Sequence, residues 1–298
     1  MSDNCTTDQC SSCLTDCDSR QAPAPEDRHC NPTPEDPESF LANPNKLSDI
    51  GKVIGVVSGK GGVGKSLVTG LLASAMKRRG RGVGLMDADI TGPSIPRIFG
   101  LGRRAKMDEF GLYPVPSRGG VDIMSINLLI ENETDPVIWR GPVIGGMVKQ
   151  FWTEVIWAGA EYLFIDLPPG TGDVPLTIFQ SIPLDGLVIV TSPQELVSMI
   201  VEKAVNMARM MKVPVLGLVE NFSYFQCPDC GKKTDVFGPS RLAETAARFG
   251  IPASARLPLT PEFAVKCDAG KVEDLEGPWL DDILSLIERL PAKSAAEK

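Results

Sequence analysis

The sequence predicts an α/β fold, with an open, mostly parallel β-sheet, helices on both faces and an N-terminal arm that has no core of its own. From Lys52 onward, short apolar runs alternate with longer stretches of helical periodicity. The runs are nearly continuous, as in strands buried on both faces. Residues 1–48 contain five of the eight cysteines, many prolines and acids, and almost no large apolar side chains before Phe40. Such a segment buries too little apolar surface to fold alone, so a disordered arm is predicted unless a metal organises it.

The predicted elements alternate regularly along the chain. The candidate strands are Val53–Val57, Gly82–Met86, Val121–Ser125, Tyr162–Ile165, Leu187–Val190 and Val213–Val219. The candidate helices are Lys65–Arg79, Pro142–Trp157, Gln194–Met211, Ser240–Phe249 and Trp279–Leu290, and the last has one apolar face expected to cover the core. The predicted organisation is an arm over 1–48, a folded domain over 49–292 with a cysteine-bearing insertion at 222–237, and a disordered tail over 293–298.

A glycine-rich loop follows the first predicted strand. Residues 58–66 read SGKGGVGKS, and the spacing from Gly59 to Lys65 and Ser66 is that of a Walker A loop. In such a loop the glycines turn backbone N–H groups onto phosphates, Lys65 reaches the β- and γ-phosphates, and Ser66 is a ligand for Mg²⁺. The loop therefore predicts binding of ATP with Mg²⁺. Lys60 is a second lysine, which this cradle does not require.

Acidic residues follow two of the predicted strands. Asp87 and Asp89 come after the strand that ends at Met86, and Asp166 ends the run YLFID. Open α/β sheets bind ligands at the carboxyl ends of their strands, so these carboxylates favour a Mg²⁺ and water site over solvated turns. A hydrophobic strand ending in Asp is typical of a Walker B motif, and the PPGTG turn after it predicts a γ-phosphate switch; a plain connecting loop is the alternative. Asn221 ends a further strand and offers an amide that matches the donor–acceptor edge of adenine.

Cys227 and Cys230 form a CxxC pair, a spacing that points two thiolates at one metal. Tetrahedral zinc and a 4Fe-4S cluster each take four protein ligands, and no second CxxC lies nearby in the chain. A two-fold homodimer would complete the site, because it places the same pair on both sides of its axis. A bridging 4Fe-4S cluster is the favoured interpretation, and a zinc site and a redox dithiol stay open.

A second set of cysteines lies in the arm. The preferred metal ligands are Cys5, Cys10, Cys13 and Cys17, with Cys30 as the main substitute, and a tail that binds no metal is the alternative. Cys267 is solitary and is predicted to be a buried apolar residue. His29 is the only histidine, which excludes histidine-based catalysis.

Charge and hydropathy argue against several classes of protein. Thirty basic and thirty-eight acidic residues give a net charge of −8 over 298 residues, which disfavours broad binding of nucleic acid or anionic membrane. No apolar run approaches the roughly 20 residues of a membrane span, and residues 1–21 do not resemble a signal peptide. A cytoplasmic protein with mostly reduced cysteines is expected.

Five segments carry a resemblance to a known family: GKGGVGKS at 59–66, DADITGPSIP at 87–96, WRGP at 139–142, YLFIDLPPGTGD at 162–173 and ENFSYFQCPDCGKKTDVFG at 220–238. Over about residues 50–292 the chain resembles the Mrp/ApbC-type iron-sulfur cluster carrier ATPases. These are P-loop NTPases with a deviant Walker A motif in the MinD/ParA clan. The CxxC block distinguishes the carriers from the DNA-segregating and division-site members. The arm is similar to the N-terminal extension of the eukaryotic cytosolic scaffold branch.

The resemblance implies a nucleotide-sandwich homodimer in which Lys60 reaches the phosphates of the partner subunit. It also implies that Asp87 lies near the water shell of Mg²⁺ and that Asp89 orients the attacking water. The implied catalytic residues are Lys60, Lys65 and Asp89. The predicted nucleotide-binding residues are Ser58, Gly59, Lys60, Gly61, Gly62, Val63, Gly64, Lys65, Ser66, Asp87, Asp166 and Asn221.

The implied function is an ATP-hydrolysing carrier that passes a 4Fe-4S cluster to apo iron-sulfur proteins. Its partners would be a second copy of the chain, the recipient apoproteins and an upstream cluster donor, with no nucleic acid and no membrane. Two alternatives share the fold. One is a positioning ATPase of the ParA/MinD kind, and the other is an electron-transfer ATPase like the nitrogenase iron protein.

Overall fold

The structure, a computed structural model, describes residues 41–90, 92–130, 141–170, 172–193 and 197–291. The strands are β1 Ile50–Ser58, β2 Val83–Asp87, β3 Lys106–Asp108, β4 Gly111–Tyr113, β5 Val115–Pro116, β6 Asp122–Met124, β7 Ala160–Asp166, β8 Gly186–Thr191, β9 Val215–Gln226, β10 Lys233–Thr234 and β11 Ala253–Pro258. The helices are α1 Lys65–Arg78, α2 Ile95–Ile98, α3 Gly141–Thr153, α4 Asp173–Ser181, α5 Val197–Met210, α6 Leu242–Phe249, α7 Pro261–Asp268 and α8 Asp281–Arg289.

Within the described part of the chain, nine strands form one sheet in the order β10-β9-β8-β1-β7-β2-β6-β5, with β11 paired to β9. The pairs β1–β7, β1–β8, β2–β6, β2–β7, β8–β9 and β9–β11 are parallel, and β5–β6 and β9–β10 are antiparallel. The short strands β3 and β4 form a separate antiparallel hairpin. The predicted mostly parallel sheet is confirmed.

Two apolar cores cover the two faces of this sheet. One contains buried side chains of α1, α2, α7 and α8, and the other contains those of α3, α4, α5 and α6. The central strands contribute alternate residues to each core: Ile54 and Val56 of β1 face the first, and Val53 and Val57 face the second. This explains the nearly continuous apolar runs of the sequence, because a strand covered on both faces has no solvent side.

The structure differs from the sequence prediction at one edge of the sheet. Strand β9 continues to Gln226, whereas the apolar run predicted an end at Val219. Strand β11 was not predicted, because its sequence ASARLP alternates small and polar residues and has no apolar run. The α8 helix buries Ile283, Leu284 and Ile287 against this edge, so the prediction of a core-covering last helix is confirmed.

The described residues before β1 contact the folded domain, although the sequence assigns them to the arm. The backbone N–H of Ala42 donates to Ser181 O (2.9 Å), and Trp152 Nε1 donates to Ala42 O (2.7 Å). Asn45 Nδ2 donates to the carbonyl of Phe110 in the β3–β4 turn (3.0 Å). The four arm cysteines preferred as metal ligands, and Cys30, lie outside the described residues. Within the described ranges, the helices are all too short or too polar to cross a membrane.

Candidate nucleotide site and cysteine hairpin

The candidate nucleotide site lies where β1, β2 and β7 end. Parallel pairing sets Asp166 of β7 beside Val56 of β1 on one side and beside Asp87 of β2 on the other. The glycine-rich loop leaves β1 at the same edge and runs directly into α1. The sheet therefore brings together the predicted Walker A and Walker B residues, which are about a hundred positions apart in the chain.

The loop has the backbone shape that its glycines predict. Gly62 and Gly64 have φ values of +79° and +83°, in the left-handed region that favours glycine. Gly64 immediately precedes the first residue of α1. The N–H groups of the loop therefore lie at the N-terminus of a helix, where anions bind. A Cβ atom at Gly64 would lie 2.1 Å from Asn221 Nδ2. An alanine therefore does not fit at this position without movement of the loop.

Lys65 is buried at the first turn of α1, with 6% of its side chain exposed. Its Nζ lies 2.8 Å from Asp166 Oδ1 and 3.7 Å from Asp89 Oδ2. These are ion-pair distances, but among the described residues no acceptor gives this buried ammonium group a well-aligned hydrogen bond. A phosphate oxygen in the loop would supply the missing acceptor, so Lys65 fits a bound nucleotide.

Asp166 is fully buried and accepts hydrogen bonds from two hydroxyls of α1. Ser66 Oγ donates to its Oδ2 (2.6 Å), and Thr69 Oγ1 donates to its Oδ1 (2.8 Å). This contact joins the Walker A serine to the Walker B aspartate. The sequence did not single out Thr69, because a threonine one helical turn beyond the loop carries no motif.

Asp87 is fully buried beside Asp166 and accepts a hydrogen bond from Ser125 Oγ (3.1 Å). Burial, and next the negative charge of Asp166, raise the pKa of Asp87 to about 8. With this pKa Asp87 is mostly protonated near pH 7, and a divalent cation at this site would favour loss of the proton and bind the resulting carboxylate. The oxygen donors of Ser66, Asp87 and Asp166 therefore fit Mg²⁺ chemically.

Asn221 contacts the phosphate loop itself. Its Nδ2 donates to Val63 O (3.0 Å), its Oδ1 accepts the N–H of Phe222 (2.9 Å), and its side chain is fully buried. Both polar groups of the amide therefore have protein partners. The predicted contact with adenine stays a prediction, and the observed contact shows that Asn221 supports the shape of the loop.

A cavity of about 270 Å³ opens at the mouth of the loop. It is lined by Lys60, Gly61, Gly62, Ser192, Pro193, Phe222 and Phe237. Lys60 is partly exposed there, and its carbonyl accepts a hydrogen bond from Ser58 Oγ (3.0 Å). The two phenylalanines were not predicted, because they are distant from the loop in the sequence.

Cys227 and Cys230 lie at the tip of a hairpin that joins β9 to β10, and we call residues 222–237 the cysteine hairpin. The backbone N–H of Cys227 donates to Lys232 O (3.0 Å), and that of Gly231 donates to Cys227 O (2.9 Å). Cys227 is partly exposed and Cys230 is exposed. Hydrogen bonds from the backbone N–H groups of Cys230 and Asp229, and then from the Cys230 side chain, lower the pKa of the Cys227 thiol. The lowered pKa favours the thiolate, which is the form of cysteine that binds metals.

The hairpin provides two ligands per subunit. No cluster of three or more histidine, cysteine or acidic side chains suited to a metal occurs in the described ranges. Cys267 is partly buried, and burial raises the pKa of its thiol, so it lacks the thiolate character of Cys227. The described residues of one subunit therefore supply only two of the four thiolates that such a site at the hairpin tip would need.

A Walker A loop and a Walker B aspartate at the carboxyl edge of this sheet define the class of P-loop NTPases. The fold is that of the MinD/ParA proteins. The structure of MinD from Aquifex aeolicus superposes with a TM-score of 0.53 at 19% identity, over 82% of this chain and all of the MinD chain. At that identity the likeness shows the fold alone.

Comparison with known proteins assigns the chain to one family within the P-loop NTPases. The ParA family profile described as "NUBPL iron-transfer P-loop NTPase" matches residues 49–289, and the chain belongs to this family. An iron-sulfur cluster carrier protein of Clostridium perfringens is 44% identical over 82% of this chain and 90% of its own length. An iron-sulfur cluster carrier protein of Methanocaldococcus jannaschii is 40% identical over 86% of this chain and 90% of its own length. The nucleotide-binding protein of Archaeoglobus fulgidus, solved in complex with ADP, is 43% identical and has a TM-score of 0.71 over 81% of this chain and 93% of its own.

Proposed function

We propose that this protein is an ATP-hydrolysing carrier that holds a 4Fe-4S cluster between two copies of the chain and transfers it to apo iron-sulfur proteins. The observation that carries the proposal is the position of the CxxC pair. Cys227 follows β9 directly, and the same strand contacts the phosphate loop through Asn221. One strand, β9, thus links the proposed cargo site to the phosphate loop.

The nucleotide part of the proposal rests on the loop and the residues around it. The N–H groups of residues 61–66 and the Lys65 ammonium would bind the phosphates, and Ser66, Asp87 and Asp166 would hold Mg²⁺. When bound, Mg²⁺ neutralises charge on the β- and γ-phosphates. Asp89 lies 3.7 Å from Lys65 Nζ and is 14% exposed, and we propose that it orients a water toward the γ-phosphorus. Attack by that water breaks the bond to the bridging oxygen and leaves ADP and phosphate.

The cargo part rests on the exposed thiols. Two copies of Cys227 and Cys230 would provide the four thiolates that a 4Fe-4S cluster requires. A pair at an exposed hairpin tip suits a cluster that leaves again, whereas a permanent redox centre is better protected from solvent. A cytoplasmic location is part of the proposal, because the thiols must remain reduced before loading.

The partners follow from this cycle. A second copy of the chain completes both sites, with Lys60 reaching across to the partner's phosphates. An upstream donor supplies the cluster, and apoproteins receive it. The four arm cysteines Cys5, Cys10, Cys13 and Cys17 are proposed to hold a further metal site.

The proposal is tested by metal analysis of protein purified without oxygen. We would measure iron, acid-labile sulfide and zinc per subunit in the wild type, in Cys227→Ala and in Cys267→Ala. We expect Cys227→Ala to lose about two iron and two sulfide per subunit, half of a shared 4Fe-4S cluster. Cys267→Ala is the matched control and should load like the wild type, because its thiol lies outside the hairpin.

Two results would contradict the assignment. Cys227→Ala protein that keeps all of its iron would place the cluster elsewhere, and zinc in place of iron would make the hairpin structural. Wild-type protein loaded with a cluster should also restore activity to an apo-4Fe-4S enzyme. The Lys65→Ala variant should still load a cluster but should transfer it poorly. A loaded protein that cycles electrons but keeps its cluster would favour the electron-transfer alternative.

A further inference from the structure

We propose that Phe237, together with Phe222, is a positioning residue through which a bound nucleotide sets the orientation of the cysteine hairpin. This inference rests on the proposed function, because it concerns how the cargo site responds to ATP. Phe222 and Phe237 bracket the hairpin in the chain, one before Cys227 and one after Cys230. Both line the same cavity at the mouth of the phosphate loop.

The first line of support is the shared cavity. Its other walls are Lys60, Gly61 and Gly62 of the loop, with Ser192 and Pro193. A nucleotide that fills this space meets both ends of the hairpin at once. Phe237 is 54% exposed and its neighbour Val236 is 51% exposed. The Phe237 side chain is therefore loosely held and can change position at little cost in packing.

A distortion in β9 at the same place also supports the proposal. Arg256 of β11 pairs with Glu220, but Pro258 pairs with Tyr224, so β9 has extra residues between these two pairs. Within them Phe222 has φ +58°, a left-handed conformation that is rare for an aromatic residue. Bulges of this kind redirect a strand, and strained residues cluster where a structure switches. Cys227 lies beyond the bulge, so its position depends on the conformation there.

One side chain, Arg256, contacts both legs of the cysteine hairpin. Arg256 Nε donates to Ser223 Oγ (2.6 Å) on the β9 leg, and its Nη2 forms an ion pair with Asp235 on the other leg. The Arg256 guanidinium also lies 5.4 Å from the centre of the Tyr224 ring. Because both legs are bound to one side chain, their spacing is fixed at Ser223 and Asp235, and a change at Phe222 or Phe237 reaches the hairpin tip through both legs.

The test uses thiol alkylation of the reduced, cluster-free protein. Rates at Cys227 and Cys230 would be measured by mass spectrometry with and without Mg²⁺ and a non-hydrolysable ATP analogue at saturation. The protein is kept dilute enough for light scattering to show only monomer, so that burial in a dimer does not contribute. Cys267 serves as an internal reference in every sample.

We expect the analogue to change the wild-type rates at both hairpin thiols by about threefold or more, as for a modest population shift. Phe237→Ala should lose this response, and Phe237→Leu, which keeps an apolar side chain, should keep part of it. Phe110→Ala is the matched control, because Phe110 is similarly exposed at 58% but lies in the separate β3–β4 hairpin. It should respond like the wild type.

Three results would overturn the proposal: an unchanged wild-type rate at saturation, a full response in Phe237→Ala, or loss of nucleotide binding in both Phe237 variants. The last would show that Phe237 belongs to the nucleotide site alone. None of these measurements uses a cluster. Failure of this inference is therefore distinguishable from failure of the carrier function, which metal analysis decides.

Discussion

At the scale of single residues, Gly64 and Asn221 pack closely against each other in the site. The Asn221 amide donates to the carbonyl of Val63, and a Cβ on Gly64 would collide with its nitrogen. Glycine is therefore favoured at this position for two reasons: a side chain would clash with Asn221, and the φ of +83° disfavours any residue with a Cβ. The backbone of the loop is held in shape by a side chain from another strand.

Gly64→Ala should therefore lower nucleotide affinity by at least about tenfold and destabilise the fold by about 1–2 kcal/mol. Isothermal titration with Mg-ATP analogue and thermal unfolding would measure the two effects. Gly146→Ala is the control, because Gly146 is exposed within α3 and a Cβ there meets nothing within 4 Å. It should bind like the wild type and gain about 0.5–1 kcal/mol of helix stability. Normal nucleotide binding by Gly64→Ala would show that the loop adjusts freely.

The sequence predicted the residues of this site whose types are fixed by a motif. Lys65, Ser66 and Asp166 lie together as expected, and Asp87 lies beside them. Thr69 and Ser125 were not predicted, although their hydroxyls bind the buried carboxylates. Their positions depend on which strands are neighbours, and a local pattern of residues does not contain that information.

At the scale of secondary-structure elements, the cysteine hairpin depends on Arg256 of β11. Arg256 lies 3.8 Å from Glu220, which is only 4% exposed, and also contacts Ser223 and Asp235. Removal of the guanidinium would leave the Glu220 carboxylate buried without a cation. The hairpin would then lose the contact that joins its legs.

Arg256→Met should lower the free energy of unfolding by about 1–3 kcal/mol and speed amide hydrogen exchange across 222–237. Mass-spectrometric exchange and denaturant unfolding would report these effects. Arg248→Met removes an exposed ion pair between Arg248 of α6 and Glu202 of α5 and should cost about 0.5 kcal/mol or less. Equal exchange of the hairpin in both variants would argue against Arg256 as its anchor.

The central strands of the sheet could be predicted because parallel strands buried on both faces need apolar residues throughout. The strands missed in the main sheet lie at its edges: β10 is two residues long and exposed, and the first four residues of β11 alternate between buried and partly exposed positions. The β3–β4 hairpin was missed for the same reason, since its residues KMD and GLY contain no apolar run. An edge strand leaves a weak pattern in the sequence, yet here it holds the cysteine hairpin in place.

At the scale of the whole molecule, the proposed dimer depends on Lys60 at the cavity mouth. Light scattering after gel filtration should show a dimer of the wild type with Mg²⁺ and a non-hydrolysable ATP analogue. Lys60→Ala should remain mostly monomeric, because the ammonium group that reaches the partner's phosphates is gone. Lys149→Ala, at an exposed position of α3, should dimerise like the wild type. A Lys60→Ala dimer of normal stability would contradict the trans contact.

The β9 bulge also gives the molecule a lever. From Phe222 to Cys227 the chain spans five residues, or roughly 16 Å if fully extended. A rotation of about 10° at the bulge would then carry the thiols by about 3 Å, since displacement grows with distance from the pivot. That exceeds a metal–thiolate bond of about 2.3 Å. In the proposed dimer, a small adjustment at the phosphate loop would therefore be large enough to decide whether four thiolates of two subunits reach one cluster.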